Sequence, residues 1–407
     1  MSTAFLFGAL PSSERVYMEA PPGLEVGSSQ VLALYRCLYG LKQASLRWYE
    51  RLQITLQSAG YIATKSDPCI YKRDVDDEIT IIATVVDDLL IASTTTAGAK
   101  RFSQVMNKAG LDTKDLGVPD YIIGMHIGRD QEKITLNQSL YIQTLLRRFE
   151  MEDCHPCRTP ADPKVKLGKE YYPKTKEQQE RMRAKPYRAL VGSLLYLVLT
   201  RPDIAVAVNE LCRHLSNPGP AMWTAAKRVL RYLKGTIKYK VAFSSGNQEV
   251  GNNLTAYVDS SHADDVDTRR SRCGYIVYFD NSPISWKTTL QKRVALSTAE
   301  AEYRAAALCT KEVLWIRRLL AELGFAQTSP TIILEDNRAC IKMIENPMVS
   351  ERNKHIEMDV HFIRDHYTME TIKPIYVSTR EQKADLLTKN LPRPLFEQFT
   401  QDILNTR

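Results

Sequence analysis

The order of strand-like and helix-like segments in the C-terminal part constrains the fold more than any other feature of the sequence. Three segments rich in β-branched and aromatic residues come first, and one long segment with apolar residues at helical spacing follows them. The predicted elements are strands at 254–259, 274–279 and 284–287, a helix at 298–323, a strand at 331–335, helices at 338–345 and 355–367, a strand at 372–377 and a short terminal helix at 383–389. This order, βββαβααβα, predicts a mixed sheet with flanking helices.

Four acidic residues stand at the ends or beginnings of these predicted elements. They are Asp259 after the first strand, Glu302 in the first turns of the long helix, Asp336 after the fourth strand, and Asp385 at the last helix. Each acid alone is more often a cap or a solvated residue. Because strand ends and helix starts at one edge of a sheet share a small volume, the four carboxylates are expected to converge there. Together they predict a site for two Mg²⁺ ions, or Mn²⁺ in their place, and therefore phosphodiester chemistry.

A second acidic site is predicted where Asp87 and Asp88 separate two apolar, strand-like runs. The runs cover 79–86 and 89–92, so the two acids are expected at the tip of a hairpin. Adjacent carboxylates repel each other unless a cation joins them, and a divalent metal bound there would serve nucleotidyl transfer. An ordinary Asp-rich turn is the alternative that this motif alone leaves open.

The length of 407 residues predicts two or three domains, and 44% hydrophobic with 25% charged residues is sufficient for packed cores. Two segments rich in Pro, Lys and Glu, 154–166 and 170–185, resemble exposed connections, and the pattern from 187 to about 240 is helical. We therefore predict an α/β and α+β multidomain chain. Its predicted parts are a first α/β layer at 1–153, a helical connection at 154–245 and a mixed-sheet domain at 246–407.

Basic residues on the early C-terminal hairpins fit the formal net charge of +8 and the pI of about 8.9. The candidate phosphate-binding residues are Arg269, Arg270, Arg272, Lys292 and Arg293. A cluster of this kind is suited to hold the phosphates of a nucleic acid duplex. A purely solubilising role is the alternative that the charge pattern leaves open.

Other classes of protein are disfavoured by the sequence. The longest apolar run, 189–200, is shorter than the roughly 20 residues that a membrane span needs, and the first residues lack the features of a signal peptide. The eight cysteines are spread along the chain, and the one close pair, Cys154 and Cys157, has no second Cys/His pair to complete a zinc site. We therefore expect an intracellular protein with reduced thiols and no membrane partner.

Several motifs resemble the reverse transcriptases of copia-type LTR retrotransposons. Residues 38–43 read Leu-Tyr-Gly-Leu-Lys-Gln, residues 85–88 read Val-Val-Asp-Asp, and residues 16–23, 191–196 and 200–204 match the same family. The resemblance implies that 1–153 is part of a polymerase palm and thumb and that Asp87 and Asp88 are metal ligands. It also implies that Lys42 and Gln43 contact the nucleotide or the template. Without the resemblance, a surface or helix-capping role for Lys42 is the alternative.

Two departures from the family pattern bear on polymerase activity. Val85 stands where the family usually has Tyr, which removes a side chain that packs near the primer end. The family also places an essential Asp immediately before the segment 2–6, where this sequence has Met1, and its fingers subdomain lies further upstream. We therefore expect a truncated polymerase that does not synthesise DNA.

The four acidic segments of the C-terminal part are similar to the ribonuclease H domain of the same family. Residues 256–261 resemble its first-acid motif, 296–303 its helix motif, 335–337 its third motif and 383–389 its fourth. The resemblance assigns the metal ligands to Asp259, Glu302, Asp336 and Asp385, and it leaves Glu300 as a helix N-terminal acid. His262 replaces a Trp that is common in the family.

The resemblance implies a Pol-derived enzyme that cleaves the RNA strand of RNA–DNA hybrids, recognised by shape and 2′-hydroxyl contacts. Its partners would be hybrids and primer–template nucleic acid, and its location the cytoplasm, a virus-like particle or the nucleus. The alternative from another class is a noncatalytic nucleic-acid-binding remnant of a decayed element, against which the complete second set of carboxylates argues. No pattern in the sequence indicates an oligomeric state.

Overall fold

A computed structural model describes residues 4–25, 27, 29–111, 113–130, 133–244, 253–346 and 357–404. The predicted boundary between 245 and 246 and the predicted helix start at 355 lie outside these residues. By its packing, the chain divides into two units: unit 1 is Met1–Pro119 with Arg318–Ala326, and unit 2 is Asp120–Arg317 with Gln327–Arg407. The division of the sequence into three domains stays a prediction.

Antiparallel strands and two helices make up the first part of the chain. Its elements are β1 Val16–Met18, β2 Leu32–Leu34, α1 Ala44–Ser58, β3 Ile62–Ala63, β4 Ile70–Val75, β5 Glu78–Val85, β6 Asp88–Ser93 and α2 Thr96–Lys108. β1 and β2 form a ribbon, and β3 to β6 form an antiparallel sheet in sequence order. The hairpin predicted around Asp87 is confirmed.

The core of unit 1 lies between α1 and this sheet. Trp48, Leu52 and Leu56 recur every four residues, so they share one face of α1, and all three are buried. Tyr71 and Ile82 come from the sheet and belong to the same buried cluster. The apolar spacing on α1 and the alternation on the strands therefore produce a layer of helix packed on a layer of sheet.

The chain from residue 120 onward begins with short strands and helices and ends with a larger sheet. Its elements are β7 Tyr121–Ile122, β8 Met125–Arg129, β9 Lys133–Asn137, α3 Ser139–Arg148, α4 Lys176–Arg183, α5 Tyr187–Leu197, α6 Ala205–Cys212, α7 Pro220–Gly235, β10 Val241–Ser244, β11 Leu254–Ser261, β12 Arg272–Phe279, β13 Ser282–Leu290, α8 Thr298–Leu323, β14 Thr331–Glu335, α9 Arg338–Glu345, α10 Glu357–Thr368, β15 Ile372–Tyr376 and α11 Arg393–Ile403. The helical pattern predicted from 187 to about 240 is confirmed by α5, α6 and α7. Pro220 stands in the first turn of α7, where its missing N–H is not needed.

A buried ion pair fixes the segment between α5 and α6. The Arg201 guanidinium, 1% exposed, makes two hydrogen bonds to the Asp203 carboxylate, of 2.9 and 2.6 Å. The Tyr232 hydroxyl donates to the same carboxylate over 2.5 Å, and Arg201 also donates to the carbonyl oxygen and hydroxyl of Thr236. Every strong polar group of this small network therefore has a partner, which a buried charge requires.

The C-terminal sheet has five strands in the order β13-β12-β11-β14-β15. β11 pairs antiparallel with β12 and parallel with β14, and β14 pairs parallel with β15. The mixed sheet, the order of its strands along the chain and the bounds of the helix at 298–323 are as predicted. The mixed α/β fold class is thus confirmed.

The short helix predicted around 383–389 is a 3-10 helix over Lys383–Leu387, so it is present but shorter than predicted. The Gln382 side chain accepts the N–H of Ala384 at its start. A further helix, α11, follows and was not predicted. Pro394 lies in the first turn of α11, where a proline costs no helical hydrogen bond.

One buried hydrophobic cluster joins the helices of unit 2 to its sheet. Leu194 of α5 and Val229 of α7 belong to it, and so do Ile276 of β12 and Phe399 of α11. The predicted helical connection and the predicted mixed-sheet domain therefore share a core. Among the described residues, no helix combines the length and the apolar character needed to cross a membrane.

Candidate active site

Two parallel strands bring the first and third predicted acids to one edge of the sheet. β11 and β14 are neighbours, and Tyr257 pairs with Leu334. Asp259 lies two residues after Tyr257, and Asp336 lies two residues after Leu334. Because side chains two residues apart in extended chain leave the same face, both carboxylates are directed to the same side of this edge.

The start of α8 places the second acid. The N–H of Glu300 donates to Ser297 Oγ over 3.1 Å, and the Glu300 carboxylate accepts the N–H of Leu296 at 2.8 Å. These two bonds form a cap of the capping-box kind, so Glu300 serves the helix start, as predicted. Glu302 follows in the next positions of the helix and is buried.

Three of the four predicted metal ligands meet. Oxygen atoms of Asp259, Glu302 and Asp336 all lie within 4.8 Å of one another, and in the described part of the chain this is where three metal-capable side chains come together. Burial, followed by the charges of Glu335, Asp259 and Asp336, raises the pKa of Glu302 well above its usual value. Glu302 Oε2 is buried without a hydrogen-bond partner. A hard divalent cation such as Mg²⁺ would supply that partner and offset the repulsion, so the residues present fit the predicted metal.

Asp385, the fourth predicted ligand, lies beside this group and contacts Asp259. It belongs to the 3-10 turn after β15 and is 4% exposed. Burial and then the charge of Asp259 raise the pKa of Asp385 to about 7, and the two carboxyls share a hydrogen bond. Asp259, Glu302 and Asp336 therefore form the group of three, and Asp385 lies beside that group.

Glu335 is a further acid at the site that the sequence reasoning assigned no role. It ends β14, is buried, and accepts the N–H of Asn337 at 2.9 Å. Burial raises its pKa well above the usual value, and the nearby charges of Asp259 and Asp336 add to the effect. Asp336, the next residue, accepts a 2.7 Å hydrogen bond from the Thr379 hydroxyl. The Glu-Asp doublet was visible in the sequence and the resemblance singled out Asp336, but no local pattern showed that Glu335 is buried beside it.

Lys389 and Thr388 also belong to the site and were not singled out from the sequence. Lys389 Nζ lies 2.6 Å from Asp385 Oδ1 and 3.3 Å from Asp259 Oδ1. The Thr388 hydroxyl donates to Asp259 Oδ2. Burial disfavours the charged ammonium, but the charges of Asp259 and Asp385 outweigh it and raise the pKa of Lys389 above its usual value. The spacing of four residues between Asp385 and Lys389 was the sequence signal that could have indicated this ion pair.

An open cleft of about 620 Å³ adjoins the acid cluster. Glu302, Asp336 and Lys389 line it together with a rim of mostly polar residues. The rim residues are Ser260, Ser261, His262, Thr298, Asn337, Arg338, Ala339 and Tyr376. The Arg338 guanidinium lies over the Tyr376 ring, 4.1 Å from its centre. His262 Nε2 lies 3.2 Å from the Ala295 carbonyl oxygen, which can only accept, so this nitrogen carries a proton.

The predicted phosphate-binding residues fall into two groups. Arg269, Arg270, Lys292 and Arg293 are exposed, as a nucleic acid contact requires. Arg272 is 0% exposed, and the prediction that it holds phosphates is wrong. Its guanidinium is bound by Asn209 at 2.5 Å, by Glu210 at 3.3 Å and by Asp264 at 3.2 Å. These partners consume its hydrogen-bonding capacity inside the protein.

The Asp87–Asp88 pair lies at the turn between β5 and β6, in unit 1. Val86 adopts a positive φ of 54°, which is unfavourable for a β-branched residue. The Trp48 indole N–H donates to the Val86 carbonyl oxygen over 2.7 Å, and the Tyr39 hydroxyl donates to Asp87 Oδ2 over 3.1 Å. Contacts from the 38–43 segment and from α1 therefore hold this turn.

Two further predictions concern residues outside these clusters. Lys42 is exposed and Gln43 is half-buried at the start of α1, and their contact with substrate stays a prediction. Cys157 Sγ donates to the carbonyl oxygens of Thr159 and Arg228, both at 3.4 Å. In the described residues Cys154 and Cys157 are not part of a group of three metal-capable side chains.

Comparison with known proteins gives matches along the whole chain. A family model described as reverse transcriptase (RNA-dependent DNA polymerase) matches residues 1–163. The chain is 41% identical to the retrovirus-related Pol polyprotein from transposon TNT 1-94 of Nicotiana tabacum, over 98% of this chain and 30% of that polyprotein. It is 33% identical to the putative transposon Ty5-1 protein of Saccharomyces cerevisiae, over 77% of this chain and 99% of that protein. Among solved structures, LC11-RNase H1, isolated from compost, matches with a TM-score of 0.27 and 12% identity over 34% of this chain and 93% of that one.

The sequence match to the Nicotiana tabacum polyprotein extends over both halves of the chain. The chain spans 30% of the length of the Nicotiana tabacum polyprotein, so its sequence corresponds to one part of such a polyprotein. At 33% identity it covers nearly all of the yeast protein. The chain belongs to the family of retrovirus-related Pol polyproteins of copia-type LTR retrotransposons.

Proposed function

We propose that this chain hydrolyses the RNA strand of RNA–DNA hybrids with two divalent metal ions bound at the acid cluster. The observation that carries the proposal is the convergence of Asp259, Glu302 and Asp336 within 4.8 Å, with a buried Glu302 oxygen that has no hydrogen-bond partner. Asp385 completes the donor set from its position beside Asp259. Four carboxylates from separate elements are the kind of donor set that two hard cations require.

Bound Mg²⁺ or Mn²⁺ would neutralise phosphate charge and stabilise the attacking and leaving oxygens during in-line displacement. The protein holds the carboxylates ready for this role. The Thr388 hydroxyl orients Asp259, and the Thr379 hydroxyl orients Asp336. Such bonds fix a carboxylate in one rotamer, and their loss weakens metal binding by roughly ten- to a hundredfold in other proteins.

The cleft supplies groups suited to a ribose-phosphate backbone. Ser260, Ser261 and Asn337 line it and can donate to or accept from sugar hydroxyls. Arg338, stacked on Tyr376, presents a planar guanidinium whose free donors suit a phosphate. The exposed residues Arg269, Arg270, Lys292 and Arg293 extend the positive surface for a longer duplex.

For the N-terminal part we propose a reverse transcriptase palm and thumb whose polymerase activity is absent from this polypeptide. The Asp87–Asp88 turn resembles a polymerase metal site, and Lys42 and Gln43 would lie along the nucleotide or template. Val85 stands beside this pair where the family usually has Tyr, so a side chain that packs near the primer end is missing. Polymerisation needs the primer hydroxyl aligned with two metals, and that alignment would suffer. Primer–template nucleic acid would then be bound without extension.

The test is cleavage of an end-labelled RNA–DNA hybrid by the purified chain in Mg²⁺, resolved on a denaturing gel. Asp259→Asn should abolish cleavage while the fold persists, because the change is nearly isosteric and removes one charge from the metal site. Asp402→Asn, at an exposed acid on α11, is the matched control and should cleave at the unmodified rate. Unchanged cleavage by Asp259→Asn would refute the proposal.

A noncatalytic nucleic-acid-binding remnant is the competing function. Such a protein would bind the hybrid in a gel-shift assay without cleaving it in either Mg²⁺ or Mn²⁺. Binding together with complete absence of cleavage by the unmodified chain would therefore favour the remnant.

A further inference from the structure

We infer that Lys389 is an internal counter-ion of the acid cluster, which holds Asp259 and Asp385 together in the metal-free protein and is displaced when divalent cations bind. The inference rests on the proposed function, because it concerns how the proposed metal site is loaded. It assigns to Lys389 a regulatory role in metal loading that is separate from ligation.

The contacts of Lys389 show a cation bound between two buried acids. Its ammonium nitrogen lies 2.6 Å from Asp385 and 3.3 Å from Asp259. The side chain of Asp259 is 1% exposed, whereas that of Lys389 is 35% exposed. The lysine thus reaches the acids from the cleft side, with part of its stem in solvent.

The cluster needs such a charge when no metal is bound. Oxygen atoms of Asp259, Glu302 and Asp336 lie within 4.8 Å of one another, and Asp385 contacts Asp259, so ionised carboxylates repel one another in this buried setting. An ammonium group between Asp259 and Asp385 reduces the repulsion that arises when both carboxyl groups lose their protons. Lys389 therefore stabilises the metal-free arrangement in the place where positive charge is required.

The same position makes Lys389 an obstacle to a second cation. A divalent ion bound to Asp259 would stand within a few ångströms of the ammonium group, and like charges at that distance repel strongly where water is scarce. Lys389 lines the open cleft, so its side chain has space to leave the acids. Metal binding and ammonium displacement are then one coupled event.

Lys383 supplies a matched control from the same turn. Its ammonium lies over the rings of Tyr257 and Tyr278, 5.3 and 5.1 Å from their centres. Its replacement removes a half-buried lysine of equal size without changing an ion pair in the acid cluster. Lys383→Met should lower stability and leave metal affinity unchanged.

The experiment measures Mn²⁺ affinity by electron paramagnetic resonance and thermal unfolding with and without metal, on the full chain. Lys389→Met should bind Mn²⁺ about tenfold more tightly or better, since it removes one positive charge from the site. It should also unfold at a lower temperature in EDTA and gain more from added Mg²⁺ than the unmodified chain. Lys389→Arg, which keeps the charge, should restore the weaker affinity.

Equal or weaker Mn²⁺ binding by Lys389→Met would overturn the inference. If Lys389→Met does not fold, the unmodified chain labelled with ¹³C at lysine Cε decides the question, with Lys389→Arg used to assign the signal. Added Mg²⁺ should move the Lys389 signal to the position of exposed lysines, and a signal that stays in place would overturn the inference. If the unmodified chain does not cleave the hybrid but Lys389→Met shows the expected rise in Mn²⁺ affinity, only the proposed hydrolase function is refuted. If the unmodified chain cleaves the hybrid but Lys389→Met binds Mn²⁺ with unchanged affinity, only the counter-ion role of Lys389 is refuted.

Discussion

The side-chain amide of Gln382 donates a hydrogen bond of 2.9 Å to the carbonyl oxygen of Val258, the residue before Asp259. The same amide also donates to the carbonyl oxygen of Leu334 at 3.3 Å, and the Gln382 side-chain oxygen accepts the N–H of Ala384. One fully buried side chain therefore ties β11, β14 and the turn that carries Asp385. The positions of the acids depend on this link as well as on the strands themselves.

We expect Gln382→Met to destabilise the protein by about 1–3 kcal/mol, because two buried carbonyl groups lose a donor. Mn²⁺ affinity should fall too, since the Asp385 turn loses its attachment to both strands. Urea unfolding and Mn²⁺ binding measure the two effects. Gln138→Met is the control, because Gln138 is also buried but bonds to Tyr196 and Thr200, remote from the acids in sequence. A Gln382 variant with unimpaired metal binding would contradict the positioning role.

Breaking the buried Arg201–Asp203 pair should be among the most damaging single changes in unit 2. Asp203→Asn leaves a buried guanidinium with an uncharged partner, and loss of one partner in a buried pair costs about 3–5 kcal/mol. The measurement is the urea midpoint of the full chain. Glu177→Gln in the exposed pair with Arg181 is the control and should leave the midpoint unchanged. Equal midpoints for both variants would show that the pair is not a major source of stability.

The raised pKa of Asp385 predicts how stability depends on pH when no metal is bound. Its pKa is about 7 in the folded chain, and roughly 3.9 is usual for an unfolded Asp. The folded state therefore holds the proton more tightly, so this group's stabilisation is full below about pH 4 and is lost as the pH rises to about 7. In EDTA the urea midpoint should fall more between pH 5 and pH 8 for the unmodified chain than for Asp385→Asn. Equal falls would contradict the assignment.

The salt dependence of hybrid binding tests the exposed basic residues. In the double variant Arg269→Gln, Arg270→Gln, the slope of the logarithm of the hybrid-binding constant against the logarithm of salt concentration should become shallower by about 1–2. The reason is that binding with fewer phosphate contacts releases fewer counterions. Fluorescence anisotropy between low and moderate salt measures the slope. Arg181→Gln, at an exposed arginine of α4, should leave it unchanged. A double variant with the original slope would remove Arg269 and Arg270 from the docking surface.

Primer extension on an RNA template tests the proposed loss of polymerase activity. We expect no extension by this polypeptide, because Val85 stands where the family usually has a Tyr that packs near the primer end, and misplacement of the reacting groups by about 1 Å can already cost about a hundredfold. Hybrid cleavage by the same preparation serves as the positive control. Efficient extension that Asp87→Asn abolishes would contradict the proposal.

Local pattern predicted those parts of the fold that depend on neighbouring residues. The bounds of α8 and β14 were predicted to the residue, because apolar spacing and β-branched content act within a few positions. The meeting of Asp259, Glu302 and Asp336 was also predicted, because strand ends and helix starts at one edge of a sheet lie within a small volume. The helix α11 was not predicted, and the segment 383–389 differs in extent from the helix predicted there.

The tertiary structure alone decided which side chains are buried and which partner each one takes. Arg272 appeared to be a surface cation, but Asn209 and Glu210, more than 60 positions away, bind it inside the protein. Lys389 and Gln382 gained their roles from Asp259 and Val258, which lie 130 and 124 positions away. The physical reason is that the free energy of a polar side chain depends on burial and on its partner. Both are set by contacts between distant segments, which periodicity within a segment does not encode.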